Sequence, residues 1–334
     1  MSRYELAFAL WLERAECEYL SGNFYEAERL IAELLERGAS KIDRAAAYRL
    51  KIDLHVMKSE NPKGVESALE CLRLFGIEMP AHPTSQQVDA EYEKVWTSLG
   101  ERPIESLIDL PLMTDPDMQA AMRVLSVLFA PAYFTDINLV RLHLCHMVNV
   151  SMRYGTTDAS AQAYSWFGTT LGSRYRRYID GYRFGKVACE LVERYEFVAC
   201  KAKTYFPMEM VVLWTQPIET ALDYIRAAFR AGVEAGDLAI ACFSSNHAIT
   251  DLLTRGDPPD EVWRESERGL DFVRKARFRD VVDIIVSQQQ FIETMRGRTA
   301  RFSTFSDAHF DETAFEAQLT EDRMATMVSL QPQR

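Results

Sequence analysis

The chain is 334 residues long, 48% hydrophobic and 26% charged, with a formal net charge of −11. That is enough apolar residue to bury the core of one large domain or two ordinary ones. The acidic balance argues against a sequence-independent grip on nucleic acid phosphates and against attraction to an anionic membrane surface. Only 15 glycines and 12 prolines occur, and few sit in Asn-Gly or Asp-Gly pairs, which argues against a β protein rich in hairpins.

From the N-terminus, residues 4–20 carry apolar side chains at Leu6, Leu10, Ala15 and Tyr19, with charges between them. Gly22-Asn23 breaks that helix, and a second starts near Phe24. Its stripe of Ala27, Leu30, Ile31, Leu34 and Leu35 makes one apolar face at helical spacing. Gly38 is read as its C-terminal stop, and the short loop predicts an antiparallel pair. Residues 42–58 and 64–75 repeat the pattern, the second with Val65, Ala68, Leu69 and Leu72. After MPAHPT (79–84), Thr84 and Gln87 form a capping box for a helix striped by Val88, Tyr92, Val95, Trp96 and Leu99. Residues 100–117 are the longest irregular stretch. They end in Asp115-Pro116, a cap followed by proline at the first helical position. Helices are expected at about 117–130, 136–154, 159–173, 182–195, 199–215, 218–235, 237–255, 259–276, 279–296 and 311–328, with a break at Pro131 and a kink at Pro207.

Second-of-pair helices start near residues 23, 63, 181, 217 and 258, at intervals of 40, 118, 36 and 41, and 118 is about three times 39. A period near 40 residues lies between the tetratricopeptide (TPR) length of about 34 and the HEAT range of about 40–47. Small residues in the second helices (Ala27, Ala68, Gly185, Ala221) favour the tetratricopeptide kind, because they let helices approach closely. The fold expected is therefore all-α, a TPR-like solenoid of antiparallel helical hairpins. N-terminal repeats would occupy 1–100, and C-terminal repeats over 101–330 would continue the same superhelix. The stretch LAFALWL (6–12) is apolar around most of its helix, so something should cover it, and the chain reads as part of a longer one.

No Walker loop, G-x-G-x-x-G, kinase H-R-D or D-F-G element, or G-x-S-x-G elbow occurs, so no catalytic residue is assigned. His143 and His146, one turn apart, could share a metal, but a helix bearing Leu142, Leu144 and Met147 more often buries such histidines, so no metal ligand is assigned. The pairs Asp115/Asp117 and Asp280/Asp283 could serve an all-α magnesium enzyme, but read better as a helix cap and as solvent-facing charge. Aromatic residues gather at Tyr164, Trp166, Phe167, Tyr175, Tyr178, Tyr182 and Phe184, beside Arg174, Arg176 and Arg177. Inter-helix packing and a solvated basic face are the plain readings. The functional reading is a concave groove for a peptide or small ligand formed by Tyr164, Trp166, Arg174, Arg177 and Tyr178, joined by His247 beside Ser244, Ser245 and Asn246. Cysteines 17, 71, 145, 189, 200 and 242 form no C-x-x-C pair and read as reduced core residues of a cytoplasmic protein. No apolar run approaches the roughly 20 residues of a membrane helix.

The strings ECLRLFGIEMPAHPT (70–84), LIDLPLMTDPDMQAAMRVLSVL (107–128), DGYRFGKVACELVER (180–194), AGDLAIACFSSNH (235–247) and VWRESERGLDFVRKARFRDVVDIIVSQQQFI (262–292) resemble one bacterial family. Its members are very large multi-domain signalling kinases. They join a protein-kinase-like domain, an AAA-type, STAND-like ATPase, a long helical-repeat region, a GAF sensor and a hybrid histidine kinase of two-component type. The resemblance falls within the helical region alone. It implies that ATP and Mg bind only in flanking domains of a parent sensor histidine kinase and ATPase, and that this segment holds no cofactor. None of the family's ATP-binding or phosphoacceptor residues has a matching position here.

The expectation that results is a non-enzymatic sensing and coupling module. Its partners would be the flanking ATPase, GAF and kinase domains and a protein or small-molecule effector, with no nucleic acid and no membrane. A second reading is an oligomerisation scaffold or spacer, motivated by the apolar first helix and by Leu319, Met324, Met327 and Val328, with a second copy as partner. The all-α magnesium-dependent enzyme is a remote third.

Overall fold

The computed structural model describes residues 2–318, so the apolar set Leu319, Met324, Met327 and Val328 lies outside the described residues. Fifteen α-helices occur among them: α1 Arg3–Leu20, α2 Phe24–Arg37, α3 Lys41–Met57, α4 Asn61–Arg73, α5 Ser85–Leu99, α6 Pro116–Tyr133, α7 Ile137–Tyr154, α8 Asp158–Tyr175, α9 Tyr178–Tyr195, α10 Val198–Val212, α11 Ile218–Ala235, α12 Leu238–Arg255, α13 Pro259–Lys275, α14 Arg279–Met295 and α15 Glu312–Glu316. A 3-10 helix spans Ile104–Asp109, and no strand is present among the described residues. The fold is all-α.

Local chemistry sets the helix starts. Ser2 with Glu5, Ser40 with Asp43 and Thr84 with Gln87 form complete capping boxes, each satisfying two otherwise orphaned backbone N–H groups. Asp115 accepts from the N–H groups of Asp117 and Met118, with Pro116 at the first helical position. One expectation at a helix end is corrected. Pro131 does not break α6, which runs on to Tyr133, because a proline in the last turn forfeits only one hydrogen bond. Gly38 ends α2 as expected, with φ −58°; a Cβ there would sit 2.9 Å from Cγ of Arg44, so closeness of the next helix is what requires glycine.

The chain divides into two compact units, residues 1–170 and 171–334, with the boundary inside α8. The expected boundary at residue 100 falls within the first unit, because α5, just before it, packs on α7, well after it.

In the first unit α1, α2, α3 and α4 pack in succession, and α1 also touches α3. Helices α1, α2 and α3 share a core of Ala15, Leu30, Ile31, Leu34, Ala47, Leu50 and Leu54. The helix that continues this stack is α6, which packs on both α3 and α4, while α5 packs on α7. The segment from Leu74 to Asp115 is thus an insertion into the repeat. It is tied down at its end where Met113 N–H donates to the Thr156 carbonyl (2.9 Å) and Thr156 N–H to that of Pro111 (2.8 Å). Gly155 makes this possible: its φ is +104°, and a Cβ would lie 2.5 Å from the Pro111 oxygen.

The insertion also explains the period. Helices α2, α4, α7, α9, α11 and α13 begin at residues 24, 61, 137, 178, 218 and 259, so their intervals are 37, 76, 41, 40 and 41. The expected three intervals of 39 between residues 63 and 181 are instead two hairpin steps plus an insertion about one period long.

In the second unit α9 through α14 pack in succession, and α12 also touches α10 and α14 along one side. In a stack of hairpins the layer whose members touch directly is the inner one. The core there includes Leu222, Ile249, Val262, Val273, Val281, Ile285 and Ile292. Close approach of α9 and α10 depends on Gly185, where a Cβ would lie 2.1 Å from the sulfur of the fully buried Met208.

Candidate functional site

The inner layer of the second unit carries a line of buried polar groups where apolar residues would be expected. Glu209 on α10 is only 3% exposed and Asp251 on α12 only 1%. Beside Glu209 stands the partly exposed His247, whose Nδ1 lies 3.1 Å from Oε2 of Glu209 and whose ring meets that of Phe206 edge-on at 4.8 Å. Residues 247 and 251 are one helical turn apart, so α12 presents both to the same neighbour. The line continues to α14, where Gln288 Nε2 donates to the Asn246 carbonyl (2.9 Å) and to Oγ1 of Thr250 (2.8 Å). Three inner helices are therefore joined by polar contacts.

Burial, and then the charge and hydrogen bond of Glu209, push the Asp251 carboxyl well above the usual carboxylate range. Two carboxyls this close and this dry resist ionising together, so the pair holds a shared proton to higher pH than a lone carboxyl would. The arrangement holds one negative charge, one proton and a partly exposed imidazole in reach of the inner surface.

Of the residues expected to line a groove, the structure brings His247 to this place. Tyr164 is completely buried and Trp166 is 8% exposed. Trp166 packs on Phe129 at 4.3 Å, so both rings are core of the first unit and offer no open surface, a correction to the expected groove. Arg174 donates to the Tyr175 hydroxyl (3.2 Å) and covers that ring. Arg177 pairs with Asp180 at 2.7 Å, which neutralises part of the basic cluster. Tyr178 packs on Trp214 with centroids 5.4 Å apart. Glu209, Asp251 and Gln288 escaped the sequence reading: a single acid inside an apolar helix gives no periodic signal, and the three meet only through helix stacking.

The weaker candidates also resolve. His143 is fully buried with Nδ1 3.1 Å from the Leu139 carbonyl, and burial lowers its pKa to about 4, so it is neutral. His146 faces Glu91 instead, so the two histidines do not converge. Among the described residues no group of three or more His, Cys, Asp or Glu could hold a metal. Asp115 is a helix cap and Asp117 pairs with Lys41 at 2.6 Å. Five cysteines are buried and Cys17 is exposed. No helix among the described residues is long and apolar enough to cross a membrane.

No protein-family model matches the chain. It is similar to hybrid signal transduction histidine kinase G of Dictyostelium discoideum, at 22% identity over 314 residues. The similarity covers 88% of this chain but only 9% of that protein, so the chain spans about a tenth of the relative's length. The crystal structure of the apo form of RapI resembles it with a TM-score of 0.47 and 12% identity, covering 87% of this chain and 98% of that one. The hairpin stack itself is established by the helix packing described above.

Proposed function

We propose that this chain is a non-enzymatic sensing and coupling segment of a multi-domain signal-transduction kinase. It receives a protein or peptide on the inner face of its second unit and passes the change to flanking ATPase, GAF and histidine-kinase domains in the cytoplasm. The observation that carries this reading is the buried Glu209–Asp251 pair beneath His247. A stack that served only as a spacer would be more stable with apolar side chains at that seam. A polar seam spanning three helices instead gives an incoming basic or hydrogen-bonding group something to answer. Binding beside His247 changes the balance of charge under it, and with that the spacing of α10 and α12. Similarity to a small part of a much longer histidine kinase supports the context.

The test is a thermal-shift screen of basic and neutral peptides against the whole chain and against Thr250→Arg, which places a bulky cation on the exposed inner surface. A ligand present at 100 times its Kd should add about 2.7 kcal/mol of stability. The shift should vanish in the variant. A broad peptide library that leaves the melting temperature unmoved would overturn the reading.

An oligomerisation scaffold is the second reading. It is favoured by Leu6, Leu10, Trp11 and Leu20 of α1, exposed by 37 to 73%. Light scattering that finds a monomer at every concentration would remove it.

A further inference from the structure

The insertion in the first unit builds a cleft that a plain stack of hairpins would lack. Helix α5 packs on α7, and the turn at Phe75–Ile77 joins them in lining a volume of about 450 Å³. Pockets of about 300–1,000 Å³ accept small organic ligands.

The charges in this cleft are unequal. Its one lining acid, Glu91, is already saturated: Lys94 Nζ donates to it at 2.8 Å, Asn149 Nδ2 at 2.8 Å, and His146 Nδ1 lies 3.5 Å away. Burial alone would raise the Glu91 pKa, but the bonds from His146, Lys94 and Asn149 outweigh it and hold the carboxyl at about 2. Glu91 is therefore a fixed anion with its lone pairs in use, and a poor receptor for a cation. Arg153, on the opposite wall, has no carboxylate partner among the described residues. Its guanidinium is held over the ring of Tyr154, 5.1 Å from the centroid. Two cations thus face the cleft against one satisfied carboxylate, on a chain whose formal net charge is −11. Beyond the charged rim, Phe75, Ile77, Met118 and Val150 supply an apolar wall.

We propose that this cleft binds a small organic anion, with a carboxylate or phosphate on Arg153 and Lys94 and a flat or apolar body against Phe75 and Tyr154. A planar guanidinium is suited to such a group because its N–H donors meet two oxygens at once. The site belongs to the first unit alone and does not require the inner face of the second to bind anything.

Titration calorimetry and thermal shift with the whole chain test it, using AMP and indole-3-acetate as the phosphate and carboxylate probes. Inorganic phosphate and acetate serve as head-group controls at matched ionic strength. At least one of the two larger probes should bind, and its head group alone should bind far more weakly. Arg153→Ala should weaken binding about tenfold or more, and so should Ser98→Trp, which keeps every charge but fills the cleft from its exposed rim. Both positions are exposed, so circular dichroism should be unchanged. Failure of both probes at roughly millimolar concentration, or binding that survives both substitutions, overturns the proposal. Loss of peptide binding at His247 with anion binding intact would sink only the reading of the second unit.

Discussion

Glu209 and Asp251 face each other across two inner helices with almost no exposed surface, and His247 closes over Glu209 with Nδ1 3.1 Å from its carboxylate. A buried acid pair costs stability once both protons are gone. Its retention at the seam of a helical stack makes the stability of the second unit depend on pH.

That dependence has a definite sign. The folded state raises the Asp251 pKa above its unfolded value, so folding retains a proton that the unfolded chain releases. The resulting stability is full below the unfolded pKa and is lost as pH rises through the folded one. Asp251→Asn removes the ionisation and keeps the shape. Urea melts should find the variant more stable than the native chain by about 1–3 kcal/mol at pH 9, with the gap closing toward pH 4. A variant that is less stable at pH 9 would contradict the shared proton.

Gly185 and Met208 test the close approach of α9 and α10. Gly185→Ala drives a methyl into the Met208 sulfur and should cost about 1–3 kcal/mol, as overpacking does. Met208→Ala opens a cavity and should cost about 2–5 kcal/mol. Because each change relieves the other, the double variant should be more stable than the sum of the two predicts. Additive losses would show that the backbone yields instead.

Glu91 fastens the insertion. Glu91→Ala leaves Lys94, Asn149 and His146 without their common acceptor and should cost about 1–3 kcal/mol. Hydrogen exchange should quicken in residues 85–99 and stay unchanged in 24–37, since α2 makes its contacts with α1 and α3.

Arg296 closes the end of α14. It donates to Glu293 at 2.6 Å and to Asp260 at 2.9 Å, and lies 5.1 Å over the Trp263 ring. Arg296→Ala leaves the 9%-exposed Glu293 with Arg298 alone, at 3.6 Å. Thermal melts should show a loss of about 1–3 kcal/mol, reduced when Glu293→Gln is added.

The amino-acid sequence by itself determined the helices, their caps and their apolar faces. Thr84 with Gln87 and Asp115 with Pro116 are local signals, complete within one turn, and a stripe such as Ala27–Leu30–Ile31–Leu34 shows which side is buried whatever lies against it. The 40-residue period was legible for the same reason, since each hairpin repeats the same local solution. Tertiary structure alone decided which helix follows α4 in the stack. An inserted α5 has the same amphipathic pattern as a repeat helix, and only packing separates the two. It also decided which polar residues matter. The aromatic cluster around Tyr164 and Trp166 drew notice by composition and went into the core, because large rings fill space between helices. Glu209, Asp251 and Gln288 are isolated in the chain, and their chemistry exists only because three separate helices bring them within hydrogen-bonding distance in a medium too dry to keep every charge.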